Sequence, residues 1–242
     1  MKYVRKFDRS ALSPGTRQRV VTQEEDLGCE IALVRGAVRS TASAPDAETF
    51  ALVLSGEISL ADEGMRELAR PGDLIFLPAG STATLSGDEH ALWVHVSATM
   101  PEGGRSSRGA SVIKVDQSRF EGTGFAYQSM IDRELGSATM RINVLQVEPG
   151  SGSPDFHIHV FAQIYVIQHG EMTLDIGKSR VIAPVDSIVI LPAGVVHRNF
   201  NASDAMERHI SLLVPEPTPD EIFDYAVTIH AEEAELLKAI PL

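Results

Sequence analysis

Residues 150–201 read GSGSPDFHIHVFAQIYVIQHGEMTLDIGKSRVIAPVDSIVILPAGVVHRNFN. On an extended strand the single residue between His157 and His159 puts both imidazoles on one face, and Gln163 and Tyr165 keep that parity. An apolar run then ends in the tight turn Pro192-Ala193-Gly194, and His197 follows it. In a small closed β-barrel alternate residues point inward, so three imidazoles and a carboxamide can converge. Such a set suits one divalent transition metal from the group Fe, Zn, Mn, Ni, Co and Cu, held by His157, His159, Gln163 and His197.

The spacing of these residues resembles that of the cupins. Their first motif is a Gly-led loop, His-x-His, an acid a few residues on, then Gly. His157, His159, Gln163 and Gly170 stand at those positions, with Gln in place of the usual Glu and with Gly150 and Gly152 flanking the expected leading Gly. The second motif, Pro-x-Gly-x-x-His-x-x-x-Asn, is matched by Pro192, Gly194, His197 and Asn201. Asp186 replaces the Gly that usually opens it, and Asp is another residue that tolerates positive φ. The resemblance implies an all-β fold of two tandem cupin barrels (double-stranded β-helix, or jelly-roll) with a short C-terminal helical tail.

Composition narrows the partners. The 242 residues suffice for one large domain or two smaller ones. No apolar run approaches the ~18 residues that cross a bilayer, and the MKYVRKFDRSAL start lacks the apolar core of a secretory signal. One cysteine, Cys29, excludes an intramolecular disulfide framework and fits a reducing cytoplasm. A net charge of −12 without a basic cluster argues against nucleic acid. The expected partner is a small molecule, with neither membrane nor nucleic acid, and the protein is expected to form a homodimer.

The chain repeats itself. VRKFDRS at 4–10 recurs as VIKVDQS at 112–118, and Leu27-Gly28 recurs as Leu135-Gly136. Further on, Gly56 matches Gly170 and residues 77–80 match 191–194, both Leu-Pro-Ala-Gly. His95-Val96-Ser97 matches His209-Ile210-Ser211 at the same later offset. The six extra residues of the second copy are placed between about 37 and 49. This is a domain duplication. The expected division is an N-terminal barrel at 1–98, a linker at 99–111, a C-terminal barrel at 112–215 and a helical tail at 216–242. Carrying the four donors back onto the first copy gives Ser43, Pro45, Thr49 and Ala83, which cannot grip a cation. The first barrel is therefore expected to be structural.

Segments 50–64 and 163–179 read as hairpins joined through Gly, and 139–147 reads as a strand. Thr218-Pro219-Asp220-Glu221 is a capping box, and Ile222, Phe223, Ala226 and Val227 follow at helical spacing. No chemistry is assigned to that tail. Tyr165 is a candidate acid, base or anchor inside the cavity. Arg141, aligned with Leu33 of the first copy, is a candidate partner for a substrate carboxylate. Arg198 and Asn199 are placed at the mouth, with Asp155 and Phe156 in an entry loop. His209, aligned with His95, is read as structural, and Cys29 as a buried small hydrophobe.

An amide at position 163 leaves the full charge of a bound dication unneutralised, which strengthens its Lewis acidity. By the resemblance, this quartet is similar to that of members performing isomerase- or lyase-type, non-oxidative chemistry on small carboxylate-bearing metabolites. Other members imply alternatives: a metal-dependent dioxygenase, a hydrolase laid out like ureidoglycine aminohydrolase, or a non-catalytic cupin that binds a small ligand.

Overall fold

The structure, a computed structural model, describes residues 3–21, 27–36, 39–41 (backbone only) and 43–229. The first half holds β1 (Val4–Lys6), β2 (Thr16–Val21), β3 (Cys29–Arg35), β4 (Arg39–Thr41), β5 (Ala47–Ser55), β6 (Ile58–Asp62), β7 (Met65–Ala69), β8 (Leu74–Leu77), β9 (Thr84–Gly87) and β10 (Leu92–Thr99). The second holds β11 (Ser111–Ile113), β12 (Phe125–Ile131), β13 (Arg141–Val147), β14 (Gly152–Ile158), β15 (Ala162–His169), β16 (Glu171–Ile176), β17 (Ser179–Pro184), β18 (Ser187–Leu191), β19 (His197–Phe200), β20 (Glu207–Val214) and β21 (Tyr225–Ala226). Among the described residues there is no α-helix, and none long and apolar enough to cross a membrane.

Each barrel is two facing sheets. The first pairs β11-β8-β5-β10-β3-β2 with β4-β9-β6-β7, and the second pairs β1-β18-β15-β20-β13-β12 with β17-β16-β19-β14-β21. Three apolar cores result. Trp93, Ile58, Leu60 and Leu85 fill the first barrel, and Tyr165, Met172, Leu174 and Leu191 fill part of the second. The third lies between the barrels, where Phe50, Leu52 and Val94 meet Ile164, Val166 and Ile210. Burying each such side chain contributes about 1.5–3 kcal/mol.

The repeated VRKFDRS and VIKVDQS segments have a structural reason. Strand β1 adds to the edge of the second barrel beside β18, with Val4 opposite Val189, while β11 adds to the first beside β8, with Val112 opposite Ile75. Each copy thus lends its opening strand to the other, so sheet membership crosses the boundaries drawn at 98 and 112. Asp8 and Asp116 close both strands identically. Each accepts from the backbone N–H and hydroxyl of the serine two residues on, Ser10 or Ser118.

A buried carboxylate locks the barrels together. Glu48 on β5 accepts hydrogen bonds from Ser106 Oγ, Ser137 Oγ, Ala138 N, Thr139 N and Thr139 Oγ1, at 2.6–3.2 Å. Five donors, one from the linker and four from the second barrel, therefore satisfy one acid of the first.

Several expectations need correcting. Segments 50–64 and 163–179 are not hairpins, because β5 and β15 lie in different sheets from β6 and β16. Gly56 and Gly170, both at φ 68°, instead turn the chain from one sheet into the other. A Cβ there would lie 2.5 Å from Ala91 N or 2.7 Å from Met206 O.

The repeat offset also drifts along the chain. In the ladders Gln163 lies opposite Leu213 as Thr49 lies opposite Ser97, and Tyr165 opposite Ser211 as Ala51 lies opposite His95. His95 therefore corresponds to Ser211, and His209 corresponds to Trp93. The same registers set Arg141 against Glu30 rather than Leu33. Part of the length difference thus precedes β3 and β13, and part follows β9 and β19, rather than all falling between 37 and 49.

Finally, 218–229 is not helical. Glu221 Oε2 accepts from Thr218 N at 2.5 Å as a capping box should, but a bend follows and then β21. The pairing of β21 with β14 outweighs the local helical spacing. Residues 230–242 of the expected tail lie outside the described residues.

Candidate metal centre

The second barrel's smaller sheet supplies the imidazoles and its larger sheet the amide. His157 and His197 are cross-strand partners on β14 and β19, and His159 follows the end of β14. Gln163 reaches across from β15. The three imidazoles each offer a nitrogen within 4.8 Å of the others. Gln163 Oε1 lies 2.9 Å from His159 Nε2 and 3.2 Å from His197 Nε2. All four residues are buried, at 1–9% exposure.

Local sequence holds these groups in place. Gly152, at φ 145°, crosses β19 so closely that a Cβ would sit 2.4 Å from Phe200 Cα. Asp186 takes φ 65°, the conformation expected of a residue replacing Gly there. Gly194 N donates to His159 O at 2.8 Å, which ties the Pro-Ala-Gly turn to the His-x-His segment. Asn201, the last motif residue, spends its amide on Val147 O, Ala205 O and Ser203, and so pins a loop.

The imidazoles share one orientation. His157 Nδ1 meets Asp155 O at 2.8 Å, His159 Nδ1 meets Phe223 O at 2.9 Å, and His197 Nδ1 meets Val195 O at 2.9 Å. A carbonyl can only accept, so each Nδ1 carries the proton and each Nε2 presents a lone pair. Gln163 Nε2 donates to Ser211 Oγ at 3.4 Å, which turns Oε1 toward those lone pairs. Three nitrogen lone pairs and an oxygen converge without an intervening proton. A cation at their centre relieves that repulsion, so the residues present fit a divalent metal. Burial pushes the His197 imidazole down to about 4 and lowers that of His159, keeping both in the neutral form a metal needs.

Other candidates fall at varying distances from this centre. Tyr165 is buried beside Gln163, with its hydroxyl 3.5 Å from Asn199 Oδ1. Burial, then the charges of Asp224 and Glu207, raise its pKa well above the ordinary phenol range, so it is a donor rather than a base. Nothing links Arg141 to the centre. It pairs with Glu216 at 3.7 Å and lines a separate groove of about 450 Å³. Arg198 does not open into the cavity, being bound to Asp175 and Pro154 O and stacked on Phe156 at 4.6 Å. Asn199 faces inward instead, and Asp155 and Phe156 belong to β14 rather than to a loop. The Cys29 thiol is buried and pushed up to about 12 by burial and the Glu30 charge, as expected of a small hydrophobe.

The tail contains what sequence reasoning missed. Residues 221–227 strap across the centre: Val227 N donates to Phe156 O at 2.8 Å, and His157 lies opposite Ala226. Phe223 caps His159 at 5.5 Å between ring centroids and packs on Phe161, which stacks on His159 at 4.6 Å. Asp224 Oδ1 lies 3.3 Å from His159 Nδ1. A two-residue strand is too short for periodicity to reveal. His209 Nδ1 also forms a buried pair with Glu207, at 2.9 Å to both oxygens.

Fold and site together define a two-barrel β protein with a three-histidine, one-glutamine centre. Residues 143–212, within the second barrel, match the Cupin_2 family, described as a cupin domain. No curated protein matches the chain. Among solved structures, the YlbA protein of E. coli is 16% identical with a TM-score of 0.69, over 91% of this chain and 95% of that one. A cupin 2 conserved barrel domain protein from Leptotrichia buccalis is 14% identical with a TM-score of 0.67, over 87% and 95%. The oxalate decarboxylase of Lactobacillus farciminis, solved as a formate complex, is 11% identical with a TM-score of 0.63, over 100% and 91%. At such identities the likeness is one of fold.

Proposed function

We propose that this chain is a metal-dependent enzyme whose second barrel acts on a small carboxylate-bearing metabolite by isomerase- or lyase-type, non-oxidative chemistry. The observation that carries the reading is the set of Nε2 and Oε1 lone pairs turned inward by four second hydrogen bonds. A bound divalent ion would supply Lewis acidity to a substrate oxygen. Because the four donors are neutral, that ion's charge favours an anionic ligand, and no arginine is needed to hold the carboxylate. That the similar oxalate decarboxylases are named for a dicarboxylic acid supports the same substrate class. Tyr165, kept protonated, donates a hydrogen bond beside Gln163, while Phe161 and Phe223 exclude water.

Elemental analysis of the purified protein and of His157→Ala tests the centre, with about one equivalent of metal expected in the first and almost none in the second. Incubation with oxalate and with 2-oxo and 2-hydroxy acids, under air and under argon, then tests the reaction. Turnover that persists under argon is expected. Turnover only in air would establish the second reading, a dioxygenase, which the apolar Phe161–Phe223 wall supports. We also propose a homodimer, supported by the exposed Ile182 and Val185 around β17 and tested by sedimentation equilibrium.

A further inference from the structure

The three imidazoles are not oriented by the same part of the chain. His157 and His197 take their Nδ1 partners from Asp155 O and Val195 O, each two residues before the histidine it holds. Those two bonds are local. His159 is different, because its Nδ1–H donates to Phe223 O at 2.9 Å, 64 residues further along, with Asp224 Oδ1 at 3.3 Å. Its ring touches Phe161, stacked at 4.6 Å, and Phe223, edge-on at 5.5 Å. One donor of the centre therefore depends on the tail strap for both its tautomer and its angle.

The strap itself is held lightly. Strand β21 spans two residues, and the 2.8 Å bond from Val227 N to Phe156 O ties its far end. Residues 218–226 are all exposed, among them Ile222 at 57% and Phe223 at 41%. A segment that buries so little apolar area opens locally, well below the free energy of global unfolding.

The first barrel supplies the contrast. There β4, the counterpart of β14, ends its sheet among the described residues, with no strand added beside it. The added strand stands on the barrel that has imidazoles for it to hold.

We propose that strap closure and metal retention are one coupled event, residues 221–227 locking His159 when closed and releasing it when open. This rests on the metal reading of the centre. Phe223 and Asp224 are positioning residues, acting through His159. Coupling is reciprocal, so an ion that binds better with the strap closed also holds the strap closed, by the same factor.

The test uses Zn²⁺ and Mn²⁺ as separate probes, each read by competition with a chromophoric chelator. Val227→Pro removes the N–H that ties the strap. Phe223→Gly removes the ring contacts and loosens the backbone. Neither variant alters a donor atom. Each is expected to weaken the ion that the parent holds by about 10–100-fold. In the parent, hydrogen exchange at the Val227 amide should slow by a similar factor when that ion is added, a reading that needs no variant to fold. A parent that binds neither ion would overturn the metal reading and the coupling with it. A parent that binds an ion while both variants match its affinity, or whose Val227 exchange ignores the ion, would overturn the coupling alone.

Discussion

On one inward rung the first barrel carries Trp93 and the second carries His209; on the next, His95 corresponds to Ser211. A rung further the pair is Ser97 and Leu213, opposite Thr49 and Gln163. Apart from β21, which only the second barrel carries, the two frames share strand order and corner glycines, yet one interior is filled and the other is wired. Trp93 is wholly buried within an apolar cluster. Its counterpart His209 is bound to Glu207 and stands edge-on to Tyr165, at 5.0 Å between centroids. Duplication gave two equal scaffolds; what separates them is whether polar interior groups find partners.

The sharpest way to break this comparison is by metal content. His197→Ala should lose essentially all bound metal, while Ser43→Ala, in the first-barrel segment that corresponds to the His-x-His run, should lose none. Mass spectrometry of the two purified variants decides it. Equal loss in both would mean that the first barrel holds an ion as well.

A smaller but still large effect is expected from packing. Trp93→Ala should destabilise the protein by about 3–5 kcal/mol through the cavity it leaves. Glu207→Gln, which keeps the shape at the matching rung's neighbour but removes a charge-assisted bond to His209, should cost about 2 kcal/mol. Urea denaturation measures both. If the second variant costs more than the first, His209 and Glu207 hold their barrel as firmly as the tryptophan holds the other.

The sequence showed much of this because its signals were local. The His-x-His parity, the Pro-Ala-Gly turn and the corner glycines each occupy a few residues and obey one geometric rule. What it hid was long-range. The exchange of β1 and β11, the grip of Glu48 on the 137–139 loop and the strap carrying Phe223 all depend on which strand finds which neighbour. Thr218–Glu221 shows the limit most plainly, since its capping hydrogen bond forms and no helix follows. Small length differences scattered along the copies also defeat a single offset, which aligns His95 with His209 where the ladders align it with Ser211.

That last pairing yields the smallest effect and the cleanest. Burial, and behind it the positive Arg17, push the His95 imidazole down to about 4 from an ordinary value of 6.5, and its Nδ1 has no partner. Below pH 6.5 the unfolded chain takes up a proton that the folded chain refuses until near pH 4, so stability falls as the pH drops through that window. Between pH 7.5 and 5.5 the His95 contribution to that fall is about 1 kcal/mol. His95→Ser installs the residue of the other barrel and removes the titrating group, so the variant should lose about 1 kcal/mol less than the parent over the same interval. Carboxylates and the remaining histidines contribute to both proteins and cancel in the difference. Parallel curves for parent and variant would mean that His95 already carries its proton in the folded barrel, and that the first interior is not as dry as its apolar lining implies.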